Sequence, residues 1–179
     1  DLEVSYFLNN VKKENNFVEI SNDVYFVDKT LLINKTNSLI RTGRKYLCIT
    51  RPRRFGKSVN AAMLATYYTK NLDTKDVFNR LNISKCPSYE KHLNKHNVIY
   101  MSLNANNENF EDYKDYKSFF RDGLISDLRE LYADINEKDP IGKIFRDVSD
   151  ATEENFIFII DEWDYIHTEK LFTSDDRKN

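Results

Sequence analysis

The tripeptide Gly56-Lys57-Ser58 stands between an apolar run of strand length and a stretch of helical composition, an order that few architectures accommodate. Residues 45–50 (K-Y-L-C-I-T), bounded by Gly43 and Pro52, predict a short buried strand. The loop Arg51-Pro52-Arg53-Arg54-Phe55-Gly56 follows at once. From Lys57 to about Lys70 the composition predicts a helix, with Val59, Met63 and Tyr67 recurring on one face. Residues 51–58 carry the last three positions of the phosphate-loop pattern G-x-x-x-x-G-K-[ST], in the strand–loop–helix setting that the loop requires. Backbone amides around Gly56 can point at a β-phosphate, and the helix start adds the positive end of its dipole. Lys57 reaches β- and γ-phosphates and the Ser58 hydroxyl ligates Mg²⁺. The expected nucleotide-binding set is Arg51, Pro52, Arg53, Arg54, Phe55, Gly56, Lys57, Ser58 and Val59. Arg51 occupies the first glycine position, which is tolerable at negative φ; a left-handed conformation there would cost about 1–2 kcal/mol. The plainer reading of R-P-R-R is a solvated basic turn.

Such a loop needs a carboxylate at the end of a neighbouring buried strand, holding Mg²⁺ through water, and often a second acid that orients the attacking water. Residues 156–162 (F-I-F-I-I-D-E) supply both. Five consecutive apolar residues predict a strand covered on both faces, and its C-terminal end opens on the crevice where open α/β sheets bind ligands. Asp161 is assigned to the metal and Glu162 to polarising the water, adjacent residues pointing different ways at a strand end. The plainer reading is that Asp161 caps a turn. Asp164 fits an outer shell or a cap equally well.

Elsewhere, Tyr25-Phe26-Val27 predicts a short extended run, ended by Asp28, which caps a helix over about residues 29–42. Asp28 could instead lie near a nucleotide base. Phe78, Leu81 and Ile83 predict a packed turn, residues 88–95 a short helix, and residues 97–103 (N-V-I-Y-M-S-L) a second strand. Asn109 is placed to cap a long helix through Tyr113, Tyr116, Phe120, Leu124, Leu128 and Leu131. Asp139-Pro140 opens another, with Ile141, Ile144, Phe145 and Val148 inward. Strands separated by helices predict an α/β fold with a parallel sheet, and no repeat or linker divides the 179 residues into more than one domain.

With 27 basic and 29 acidic side chains, net charge gives no global argument for nucleic-acid or acidic-membrane binding. No apolar stretch is long enough to span a bilayer, and residues 1–10 lack the order of a signal peptide. Cys48, inside an apolar run, and the distant Cys86 fit a reducing cytoplasm. His92 and His96 could share a helix face with Cys86 upstream, yet a zinc site lacks its fourth ligand and has Lys91 and Lys95 beside it.

The chain resembles the bacterial and archaeal family of predicted AAA-ATPases, or AAA-ATPase-like proteins. The likeness rests on Y-F-V-D-K-T-L-L-I at residues 25–33, T-R-P-R-R-F-G-K-S at 50–58, V-I-Y-M-S-L at 98–103 and F-I-I-D-E-W-D at 158–164. In that family an arginine at the first loop position is usual, so Arg51 agrees with it. The resemblance implies a P-loop NTPase of the additional-strand type, with ATP and Mg²⁺ as ligands. It implies a further strand after the acidic pair, a γ-phosphate sensor, an arginine finger and often a nuclease-like C-terminal domain. None of these is matched in residues 165–179, so the chain is expected to be the N-terminal part of the family's full domain, C-terminally incomplete. A homo-oligomer, and a nucleic-acid partner through the C-terminal domain, are within the family's scope.

Three functions follow as expectations: Mg-dependent ATP binding and hydrolysis, a nucleotide-gated binding or regulatory module with little hydrolysis, or nucleic-acid binding through Arg51, Arg53 and Arg54.

Overall fold

The computed structural model describes residues 5–10, 12–42, 57–104, 110–162 and 165, with the backbone alone for residues 12–15 and 57. The chain divides into two compact units, residues 11–98 and residues 1–10 together with 99–179. The strand expected over residues 45–50 and the loop over residues 51–56 lie outside the described residues.

The unit of residues 11–98 is helical: α1 (Lys12–Ser21), α2 (Leu31–Asn37), α3 (Lys57–Tyr68), α4 (Lys75–Phe78), a 3-10 turn at Asn82–Lys85, and α5 (Tyr89–His92). Its core is aromatic. Phe17 stacks on Phe78 and Tyr67 meets Phe78 edge-on, each pair with ring centroids 5.4 Å apart, among fully buried Ile33, Met63 and Ile83. α1 packs along α3.

The one-faced pattern expected for α3 is too narrow, because every residue from Ala62 to Tyr68 is buried. Small Ala62 and Ala65 let neighbours close in, and the buried Thr66 hydroxyl donates back to the Ala62 carbonyl (2.8 Å). The C-terminal end of α3 is tied down by Asn94. Its side-chain amide donates to the Thr66 (2.9 Å) and Thr69 (3.1 Å) carbonyls, and its backbone N–H donates to Tyr67 (2.7 Å). These bonds satisfy carbonyls that a helix end leaves open. Asn94 adopts left-handed φ 52°, which asparagine tolerates well.

α2 is shorter than the expected 29–42 span, giving way after Asn37 to successive turns. Asn37 is buried and committed to α3: its carbonyl accepts from the Tyr68 hydroxyl (2.7 Å) and its amide donates to the Tyr67 hydroxyl (3.2 Å). This network joins the elements on either side of residues 43–56. Asp28 is a local fastener. Its carboxylate accepts from the Thr30 amide (2.8 Å) and hydroxyl (2.6 Å) and from the Asn82 amide (2.7 Å). Burial raises the Asp28 pKa, but these bonds outweigh burial and hold it below the ordinary carboxylate value. Residues 25–27 form no strand, and Tyr25 is 90% exposed.

His92 and His96 do not share a helix face, because α5 ends at His92 and the chain turns through Asn94. Their rings nevertheless meet, His92 Nδ1 lying 3.0 Å from His96 Nε2. Burial, followed by the positive neighbours His92 and Arg41, pushes His96 down to about 4. Burial, then Lys91, Arg41 and Lys95, also lowers His92. The unfolded chain therefore takes up protons below about pH 6.5 that the folded chain refuses. Stability is fully present above that pH and falls as pH drops toward 4. Thermal unfolding between pH 8 and 4 checks this: the melting temperature of His96→Gln falls less steeply over that window than that of the wild type, and parallel curves would refute the assignment.

The other unit is built on a two-stranded parallel sheet of β1 (Asn97–Ser102, from Ile99 onward) and β2 (Phe156–Asp161), flanked by α6 (Tyr113–Leu131) and α7 (Ile141–Thr152). The fold class is mixed α/β. α6 starts at Asp112, whose carboxylate accepts the Asp115 amide (2.8 Å); Asn109 lies outside the described residues. Ile99, Tyr116, Phe120 and Leu124 join Phe7 and Leu8 in one cluster, and Leu128, Ile144 and Val148 in a second. β2 is not covered on both faces as its sequence predicts: Phe158 and Ile160 are 48% and 47% exposed, although the Phe158 ring reaches that of Phe145.

Residues 5–10 lie along β1, with an antiparallel bridge between Leu8 and Ile99 and a bond from the Tyr100 amide to the Phe7 carbonyl (2.9 Å). One buried carboxylate, Asp127 on α6, accepts the amides of Tyr6 (2.8 Å), Phe7 (2.6 Å) and Leu8 (2.8 Å). Gly123, one turn earlier, makes room: a Cβ there would lie 2.6 Å from the Phe7 ring. Asp127→Ala strands these amides, each worth about 1–3 kcal/mol if left buried; release of the segment to water limits the total to roughly 3 kcal/mol. Urea unfolding checks this, and a loss below about 1 kcal/mol would contradict the contact's importance.

Candidate functional site

β2 delivers the acidic pair. Alternation along the strands puts Ile99, Met101 and Phe156 toward the α6 and α7 clusters, so Tyr100, Ile159 and Asp161 share the opposite face of the sheet. Asp161 closes β2 and is 9% exposed. Its Oδ1 accepts the Glu162 amide (2.9 Å) and its Oδ2 the Tyr100 hydroxyl (3.3 Å), while its carbonyl accepts the Leu103 amide (3.0 Å). Burial raises the Tyr100 pKa well above the ordinary phenol value, and the negative Asp161 and Glu162 add to this, so Tyr100 keeps its proton and donates.

Glu162 follows in left-handed conformation, φ 54°, and is half-buried. For a non-glycine residue this costs on the order of 1 kcal/mol and is uncommon outside turns and functional sites. Glu153 has a similar φ of 59°, but there it ends α7 as an ordinary helix cap. Glu162 ends a strand instead, and its carbonyl accepts the Tyr165 amide (3.0 Å) as the chain turns away. The Asp161 carboxylate is thus held at the strand end by two hydrogen bonds, and the backbone of Glu162 takes a left-handed turn beside it. Asp164 lies outside the described residues.

The other half of the expected site belongs to the unit of residues 11–98. Lys57 is the first described residue of α3, within the span that the sequence predicts to be helical. Ser58 is exposed in its first turn, Val59 half-buried and Asn60 buried. Arg51, Pro52, Arg53, Arg54, Phe55 and Gly56 lie outside the described residues, as does the Lys57 side chain.

The donors present suit Mg²⁺. A serine hydroxyl and a carboxylate are hard oxygen ligands, and a phosphate-bound magnesium draws its remaining ligands from phosphate and water. With one bond on each oxygen, the Asp161 carboxylate keeps a further lone-pair direction on each that can face a water or an ion. Among the described residues no group of three or more His, Cys, Asp or Glu could hold a metal ion, which includes the region of His92 and His96.

Sequence reading missed Tyr100 as part of the site. The available signal was a hydroxyl-bearing side chain inside the apolar run V-I-Y-M, where burial calls for a partner. Among the described residues no helix is long and apolar enough to cross a membrane.

No curated protein and no solved structure matches the chain. The family model described as Predicted AAA-ATPase matches residues 14–178, a span containing both the G-K-S helix start and the Asp161-Glu162 strand end, and the chain belongs to that AAA-ATPase-like family.

Proposed function

We propose that this chain binds Mg-ATP and hydrolyses it, with the phosphates on residues 51–59 and the acidic pair at Asp161 and Glu162. The observation that carries the proposal is family membership over a span including both motifs. The helical backbone at Lys57 and Ser58 and the buried, doubly bonded carboxylate of Asp161 support it. The corresponding fold is the additional-strand form of the P-loop NTPase, with residues 45–50 as the strand entering the loop.

In this reading the amides around Gly56 and the first turn of α3 bind phosphate oxygens, and Lys57 neutralises charge on the β- and γ-phosphates. Ser58 and, through water, Asp161 would hold the magnesium. When bound, Mg²⁺ would supply neutralisation of the charge on the phosphates. Glu162 takes a proton from the attacking water as the water oxygen bonds to the γ-phosphorus and the bond from that phosphorus to the β–γ bridging oxygen breaks. ADP leaves with the bridging oxygen, and the proton passes from Glu162 to the released phosphate or to solvent.

Titration of the chain with a fluorescent ATP analogue, with magnesium or with EDTA, together with release of inorganic phosphate from ATP, tests the proposal. Magnesium-dependent binding and measurable turnover are expected. Binding without phosphate release would leave a nucleotide-gated module, and absence of binding would overturn the proposal.

A further inference from the structure

We infer that Tyr100 is a positioning residue for Asp161, fixing the orientation in which that carboxylate faces the metal. The inference rests on the Mg-ATP reading above and adds a residue that neither the phosphate-loop pattern nor the acidic pair contains.

Tyr100 is buried in β1, and its backbone amide is bonded to the Phe7 carbonyl (2.9 Å), so the residue is anchored from the strand's own edge. Its flanking residues Val98, Ile99 and Met101 are apolar. A phenylalanine would satisfy packing there equally well, whereas a buried phenol needs partners for its hydroxyl. The Asp161 Oδ2 provides one at 3.3 Å. This is long for an O–H···O bond, as expected of an orienting contact that tightens when the site is loaded.

The second oxygen of Asp161 is bonded independently. Oδ1 accepts the Glu162 amide at 2.9 Å, a bond that the left-handed Glu162 backbone accompanies. Rotating the carboxylate out of this plane would break one or both of these bonds. Each oxygen retains a further lone-pair direction, which suits an ordered water. Tyr100 thus sets the plane of the carboxylate, and Glu162, by its main chain, sets it from the other side.

The test uses the full chain and Tyr100→Phe, which removes the hydroxyl and keeps the ring. Magnesium is titrated against binding of the fluorescent ATP analogue. The hydroxyl is expected to matter only when magnesium is present: half-maximal binding in Tyr100→Phe requires about tenfold more Mg²⁺, while binding in EDTA is unchanged, the lower end of what outer-layer substitutions at metal sites do. A double-mutant comparison separates positioning from packing, because in Asp161→Asn the further change Tyr100→Phe is expected to have no additional effect on the magnesium requirement. A wild-type magnesium requirement in Tyr100→Phe, or equal effects of the change with Asp and with Asn at position 161, would overturn the role of Tyr100 while leaving the ATP reading intact. A wild-type chain that binds no analogue would overturn both.

Discussion

Glu162→Gln is expected to reduce phosphate release by about 10²- to 10⁴-fold while leaving Mg-ATP binding within a few-fold of the wild type. The amide keeps the size of the carboxylate but loses its charge and part of its capacity to accept a proton from water. The left-handed backbone of Glu162 and its amide bond to Asp161 do not depend on the side-chain terminus, so the substitution leaves the strand end in place. Single-turnover phosphate release alongside analogue binding separates the two quantities. Loss of binding together with turnover would show that Glu162 supports the ligand rather than the reaction, and unchanged turnover would remove it from the mechanism.

Lys57→Ala is expected to abolish Mg-ATP binding at micromolar nucleotide. The residue begins α3, where the phosphates of a loop-bound nucleotide gather, and an ammonium paired with them makes charge-assisted bonds about twice as strong as neutral ones. Alanine is a good helix former, so the substitution removes the charge with little penalty to the helix. Calorimetric titration with Mg-ATP reads the affinity, and thermal unfolding without ligand reads the fold. Affinity and turnover equal to the wild type would end the Mg-ATP proposal.

The features legible in sequence were those written locally. The four-residue spacing of Tyr116, Phe120, Leu124 and Leu128 marked α6, and Pro140 with Ile144 and Val148 marked α7. The apolar runs at Asn97–Ser102 and Phe156–Asp161 marked both strands of the described sheet, and the acidic pair stands at the end of the second. The features that escaped were set by partners far along the chain. Asp127 lies three residues after Leu124, on the buried face of α6, yet its purpose depends on amides about 120 residues earlier. Asn94, expected inside a short helix over residues 88–95, lies beyond the end of α5 and caps α3. Asn37 shortens α2 because its amide is bonded to Tyr67 and Tyr68 rather than facing water along a longer helix. Tyr100 looked like one more β-former until Asp161 was placed beside its hydroxyl. Periodicity reports which face is buried, and it does not report what a polar group on that face will meet.

The central claim is that one magnesium–nucleotide complex is held by the G-K-S segment and by Asp161. Replacement of Mg²⁺ by Fe²⁺ in the presence of ATP, followed by ascorbate and peroxide, generates radicals at the ion that cut the nearest backbone. Mapping of the fragments is predicted to give ATP-dependent cuts at both residues 57–59 and residues 161–162. Cuts at only one of these segments, or cuts that do not require ATP, would contradict the account.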